Sequence, residues 1–325
     1  MKSFRHVDVT TVTEAVAALE YYKGKAVLNA GATDLLGILK DSLLPEQPAA
    51  LINIKTIAGL NYIRADSAGV RIGALTRLSE IAASPAVSAR HEGLARAARS
   101  VATPEIRNMG TLGGNLCQQV RCWYYRYPHH LGGRIICYRK GQGTCPAIIG
   151  DNRYHAIMGG KVCFAVCPSD LAVMLAALDA RITLYGPEGE RTLGIQDFFH
   201  TLGNVMGPRE ILTEVQVPLP PDNSRQTFHK YRLREQVDFA IVSIGSVIGV
   251  TDGRCTHAKI ALGAVAPTPV RATGAENLIL GKSIDADLAE AAARAAVTGA
   301  KPLGKNAYKI EITKTLVRRM LLSQL

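Results

Sequence analysis

The chain has 325 residues, enough for two or three domains each with its own core, and its 47% apolar and 20% charged composition is that of an ordinary globular protein. A formal charge of +11 raises the question of nucleic acid, but the basic residues are scattered and no helix-turn-helix, zinc-finger or RNA-stacking signature accompanies them. "MKSFRHVDVT" lacks the apolar stretch of a secretory signal, and the longest apolar run, 239–250, is too short to span a bilayer. The expectation is a cytoplasmic protein that binds neither nucleic acid nor membrane.

In chain order, "TVTEAVAALEYY" predicts an amphipathic helix, with Thr11 and Glu14 as a capping box. "KAVLNAGATDLLGILK" (25–40) reads as strand, tight turn and helix, with Thr33-Asp34 as the cap, and "AALINI" (49–54) returns as a strand. Alternation over 60–76 around Ser-Ala-Gly predicts a hairpin. Ser79 is a candidate helix cap, and "HEGLARAARSVA" is helical. Residues 121–160 have no clean periodicity and are too long for a plain loop in a compact domain. "SDLAVMLAALDARITLYGPEG" predicts helix, strand and turn, "EILTEVQVPLP" a strand, and "PDNSRQ" a linker. The last hundred residues read as a three-stranded meander turning at Asp252-Gly253, followed by two or three helices.

Two nucleotide signatures fail. No G-x-G-x-x-G occupies a strand–helix turn, and "GKS" at 281–283 has Glu276 where a P-loop needs glycine. Two Gly/Thr turns remain, "NAGATDLL" (29–36) and "GTLGGN" (110–115). Each offers backbone N–H groups with little side-chain obstruction, which suits a pyrophosphate.

Cysteine usage is uneven: six of seven (117, 122, 137, 145, 163, 167) lie within residues 117–167. In a chain read as cytosolic, such clustering argues for metal or redox chemistry rather than disulfides. Structural zinc favours closely spaced pairs, and only Cys163 and Cys167 have that spacing. An iron–sulfur cluster accepts wider spacing. The eight histidines form no ligand set, and no Ser-His-Asp or paired-carboxylate arrangement emerges, so a cofactor is expected without catalytic side chains.

"AGATDLL", "TPEIRNMGTLGGNL", "PSDLAVMLAALDA" and "EILTEVQVP", in this order, resemble the FAD-binding medium subunit of the molybdenum hydroxylase (xanthine oxidase) family. The resemblance implies an α+β fold: a two-subdomain FAD-binding domain and a C-terminal α/β domain of a three-stranded sheet with helices. The expected division is 1–55, 56–220 with an iron–sulfur loop inserted at about 117–163, and 221–325. The insertion, with "RCWYYRYP" and "GQGTCP", is similar to the β subunit of 4-hydroxybenzoyl-CoA reductase and to flavin subunits of some aldehyde oxidoreductases.

By this resemblance Asn29, Ala30, Gly31, Ala32, Thr33, Asp34, Leu35 and Leu36 wrap the FAD pyrophosphate. Thr111, Gly113, Gly114 and Asn115, with Gln118, form a second cradle. Asp170 meets the adenosine part and Lys230 lies near the isoalloxazine. Ala32 stands where relatives commonly have glycine, which is tolerable at negative φ. Cys122, Cys137, Cys145 and Cys163 are the implied 4Fe-4S ligands, chosen over Cys117 and Cys167. The implied function is an electron-transfer subunit of a complex, a dimer of heterotrimers whose small subunit carries 2Fe-2S clusters and whose large subunit carries the molybdenum cofactor. Reductive dehydroxylation of 4-hydroxybenzoyl-CoA with electrons from ferredoxin is the first expectation, drawn in by basic Arg121, Arg126, Arg134, Arg139 and Lys140 around the cluster. An aldehyde oxidoreductase subunit is the alternative, and a zinc-stapled binding protein the alternative of another class.

Overall fold

The computed structural model describes residues 2–44 and 46–324. It opens on a parallel sheet in which Ala50–Asn53 lies between Arg5–Asp8 and Ala26–Asn29. The central strand is buried throughout, as its unbroken apolar sequence requires. Helix Val12–Tyr21 packs Ala15, Val16 and Leu19 inward. Thr11 Oγ1 accepts from the Glu14 amide at 3.1 Å, but the Glu14 carboxylate reaches back to the Thr10 amide, so the expected box closes one residue early.

The next unit is a five-stranded antiparallel sheet in the order Ile63–Asp66, Gly69–Gly73, Ile211–Pro218, Arg181–Gly186, Gly189–Gly194. Its centre is the strand contributed last, so the segment between 74 and 180 must leave the sheet and return. Ser79 is not a cap: it lies inside helix Leu78–Ala83, whose entry is closed by Glu80 Oε2 accepting from the Arg77 amide. Helix Asp170–Ala177 is buried on every side, which its apolar sequence permits, and Ser169 Oγ caps it from the Ala172 amide. It lies against the C-terminal sheet, where a Cβ on Gly245 would fall 2.9 Å from Met174 Cα.

That sheet runs Ser224–Tyr231, Val242–Thr251, Arg254–Gly263 and Val270–Arg271. The expected three-stranded meander thus gains a two-residue fourth strand, and the expected linker "PDNSRQ" becomes strand from Ser224 onward. Asp252 and Gly253 have φ of 51° and 72°, the pair of left-handed residues a two-residue hairpin needs. Helices Thr273–Ile279, Ala286–Ala296 and Tyr308–Leu322 build a second core against this sheet. The architecture is α+β.

Between 118 and 169 the described residues form no strand, only short 3-10 turns at His129–Leu131, Tyr138–Lys140 and Pro146–Ile148. The segment is ordered by its neighbours. The Ile157 and Met158 amides donate to Val265 O, and the Lys305 amide donates to Asn152 Oδ1. No helix among the described residues is long and apolar enough to cross a membrane.

Candidate functional site

A cavity of about 590 Å³ with mostly apolar walls opens where the three units meet, within the size range of cofactor sites. The first Gly/Thr turn leaves strand Ala26–Asn29 and forms one wall. Gly31 is there for close approach: a Cβ on it would lie 2.0 Å from Met109 O, so the first turn rests directly on the segment entering the second. Ala32 has φ +59°, which corrects the expectation of negative φ. The left-handed residue curls successive amides to one side, and among the described residues the N–H groups of Gly31, Ala32 and Thr33 have no acceptor. Such a run is an anion-binding nest, which fits a pyrophosphate.

The second turn works differently from expectation. It enters helix Leu112–Cys117, and its amides are committed within the protein. Leu112 and Gly113 donate to Thr76 O and Ala74 O, while Gly114 and Asn115 donate to Thr111 Oγ1 and Thr111 O. This turn therefore offers space and side chains in place of free N–H groups. Gly113 is buried against Ala74, with 3.1 Å left for a Cβ, whereas Gly114 is exposed at the cavity wall, where a Cβ would come 3.0 Å from Thr111 Oγ1. Asn115 Oδ1 accepts from Ser169 Oγ at 2.6 Å, and Gln118 bridges Asn115 O and Arg121.

Of the residues implied for FAD, the cavity is lined by Ala30 to Leu35, Thr111, Gly113, Gly114, Asn115, Gln118, Asp170 and Lys230. Asn29 and Leu36 lie outside the wall, Leu36 half-exposed. Asp170 and Lys230 are not at opposite ends of an extended dinucleotide. Lys230 Nζ meets Asp170 Oδ2 at 2.6 Å, both side chains nearly inaccessible, so the two act at one place. Burial pushes the Asp170 carboxyl up, and Lys230 opposes that shift. Sequence reading missed Ile106, Met206, Leu212 and Phe239, which supply apolar wall from four separate segments. No local pattern marks them, because only the fold gathers them.

Asp34 sits at the start of helix Leu35–Lys40, but its side chain does not cap it. It accepts from the Gln119 amide at 2.8 Å and from Arg121 and Arg126 at 2.6 Å each. The first flavin turn is therefore tied to the opening of the cysteine segment. Burial lowers the Arg121 guanidinium to about 10 while Asp34 holds its charge.

A second, small cavity is lined by Cys122, Cys137, Cys145 and Cys163 together with Tyr124, Tyr125 and Ala165. Arg121 lines the flavin cavity and its neighbour Cys122 lines this one, so the two linings adjoin along the chain at residues 121 and 122. Burial pushes the Cys122 thiol up to about 11 and raises Cys145 as well, the state expected of ligands that hold protons until a metal displaces them. Cys117 and Cys167 lie elsewhere. Both pack against the core of the second unit, Cys117 with its Sγ 3.6 Å from Met206 Sδ, and burial pushes both to about 12.

Among the described residues no three His, Cys, Asp or Glu side chains gather as a single metal ion requires. One zinc ion holds each sulfur at roughly 2.3 Å, whereas a cuboidal cluster needs its four thiolates set further apart around a common space. Four thiols lining one cavity are the donor set that such a cluster would take. His155, marked by no local pattern, lies 3.2 Å from Cys122 Sγ through Nε2.

The expected basic surface is largely internal. Arg121 and Arg126 are spent on Asp34, Lys140 is buried with its Nζ on Tyr124 O, and Arg139 donates to Thr201 O and Leu202 O. Of the five residues, only Arg134 is exposed.

The FAD-binding domain of molybdopterin dehydrogenases matches residues 2–122 and 149–220, and the CO dehydrogenase flavoprotein C-terminal domain matches 226–324. The chain belongs to the FAD-binding medium-subunit family of molybdenum hydroxylases and is an oxidoreductase subunit. It is 32% identical to the aldehyde oxidoreductase FAD-binding subunit PaoB of Escherichia coli (strain K12), over 99% of this chain and 98% of that one. It is 29% identical to the carbon monoxide dehydrogenase medium chain of Hydrogenophaga pseudoflava, over 98% of this chain and 96% of that one. A solved structure of carbon monoxide dehydrogenase from that organism superposes with a TM-score of 0.77, at 29% identity, over 98% of this chain and 96% of that chain. Family membership sets aside the zinc-stapled binding protein. The stretch the family model leaves unmatched, 123–148, contains Cys137 and Cys145.

Proposed function

We propose that the chain carries FAD and a 4Fe-4S cluster as the medium subunit of a molybdenum-dependent aldehyde oxidoreductase. The observation that carries this reading is the convergence of Cys122, Cys137, Cys145 and Cys163 on one cavity, whose Cys122 follows directly on Arg121 in the flavin cavity wall. FAD held there joins two-electron to one-electron transfer. The Gly31–Thr33 nest holds the pyrophosphate, and the Asp170–Lys230 pair presents a buried, oriented polar end. Partner subunits supply the 2Fe-2S clusters and the molybdenum cofactor at which substrate reacts, in a dimer of heterotrimers. The proposed division of the chain is 1–55, 56–220 and 221–325.

Aldehyde oxidation is supported by the full-length similarity to an aldehyde oxidoreductase subunit. Reduction of 4-hydroxybenzoyl-CoA by electrons from ferredoxin is the second reading, supported by the cysteine-bearing insertion. The test is to purify the complex with its partner subunits and assay it both ways. Aldehyde-dependent dye reduction, with flavin bands and four additional iron atoms assigned to this chain, is the expected result. Turnover confined to 4-hydroxybenzoyl-CoA would replace the first reading by the second, and flavin without the additional iron would remove the cluster from both.

A further inference from the structure

His155 is 3% exposed, and nothing in the flavin site uses it. Its ring is flanked by Trp123 and Tyr124, with centroids 5.6 and 5.9 Å away. Nε2 lies 3.2 Å from Cys122 Sγ, while Nδ1 is buried with no partner among the described residues. The two neutral tautomers are not equivalent there. A proton on Nδ1 would bury an N–H without an acceptor and set the Nε2 lone pair against a thiolate. A proton on Nε2 leaves only an unpaired lone pair at Nδ1 and gives the sulfur a donor.

The backbone of His155 is held by the C-terminal unit. Asn306 Nδ2 donates to His155 O and Ala156 O at 3.1 Å each, and Lys309 Nζ donates to His155 O at 3.1 Å. Asn306 and Lys309 are themselves fully buried. Carbonyls pinned at 155 and 156, and a ring packed against the mutually contacting Trp123 and Tyr124, fix where Nε2 points.

We propose that His155 donates an Nε2–H hydrogen bond to Cys122 Sγ and so raises the reduction potential of the cluster, with Asn306 and Lys309 as its positioning residues. This rests on the reading that the four thiols hold a 4Fe-4S cluster. Reduction adds one electron, supplied in a titration by dithionite. No bond breaks and no proton moves. The added negative charge spreads onto the thiolate ligands, and an N–H dipole aimed at one of them stabilises the reduced form more than the oxidised one.

The test uses the intact complex and electron paramagnetic resonance of the reduced cluster. In the unaltered protein grown with isotope-labelled histidine, a nitrogen coupling to the cluster that responds to the label is expected, and its absence overturns the proposal. In redox titrations His155→Leu is expected to keep four iron atoms but to lower the reduction equilibrium tenfold or more, about 59 mV for one electron. His155→Gln, which can retain a donor, should fall between the two. A midpoint unchanged in His155→Leu with the cluster intact also overturns the proposal. Should His155→Leu lose its iron, the coupling in the unaltered protein still decides. Absence of the cluster from the unaltered complex is a separate failure, that of the cluster reading itself, and is seen directly as missing iron.

Discussion

At the scale of single residues, Ala32 shows how a small departure in sequence carries a structural cost. Its φ of +59° is strained for any residue with a Cβ, by about 1–2 kcal/mol. Glycine removes that strain but loses roughly 0.5–1 kcal/mol through the freedom of the unfolded chain. Ala32→Gly should therefore stabilise the protein modestly, by about 0.5–1 kcal/mol in denaturant unfolding, and keep its full flavin content. Ala32→Val, β-branched at positive φ, should be destabilised and lose flavin. A stability order of Val above Gly would show that the turn does not hold this conformation. The glycines on either side of the cavity were visible in the sequence as punctuation, but their separate duties were not. Gly31 answers to Met109 O and Gly113 to Ala74, contacts made by residues far along the chain.

At the scale of elements, the periodic segments were legible and the aperiodic one was not. Strands and helices announce themselves by apolar spacing, so the hairpin at 63–73, the buried helix at 170–177 and the C-terminal meander follow from pattern alone. Residues 118–168 owe their shape to hydrogen bonds with distant partners, among them Asn152 with Lys305, and the carbonyls of residues 154–156 with Asn306 and Lys309. Lys309 gives this clamp a pH signature. Burial lowers its ammonium from 10.5 to about 7, so above pH 7 the folded protein releases a proton that the unfolded chain keeps until near 10.5. Stability contributed by this group is lost as pH falls through 7 and is regained as pH rises, at no more than about 1.4 kcal/mol per pH unit. Thermal unfolding between pH 7 and 8 should show that rise, and Lys309→Met should remove it. An identical pH slope in the variant would mean that Lys309 stays charged against the carbonyls of Tyr154, His155 and Ala264.

At the scale of the whole molecule, the two cavities are separate in their linings yet joined through Asp34. The flavin side offers the nest at Gly31–Thr33 and an open wall at Gly114, and the other side offers four thiols. The sequence could indicate both sets, because glycine-rich turns and clustered cysteines are local signals. It could not indicate the bond between them, because Asp34 and Arg126 are brought together only by the fold. This arrangement predicts which losses are independent and which are not. Gly114→Val projects a branched side chain from an exposed position into the flavin cavity, so the purified chain should lose FAD and keep its iron. Cys145→Ser removes one of four thiolates and leaves both turns untouched, so it should lose iron and keep FAD. Asp34→Ala strips two guanidinium groups of their partner, and with all three side chains only partly buried the cost is about 2 kcal/mol. That cost falls on residues 119–126, which run from the flavin cavity wall to Cys122, so iron and flavin should decline together. The check is to measure both contents in each of the three purified variants. Four retained iron atoms in Cys145→Ser would sink the ligand assignment. Loss of one cofactor alone in Asp34→Ala would show that the wall between the cavities holds without its central ion pairs.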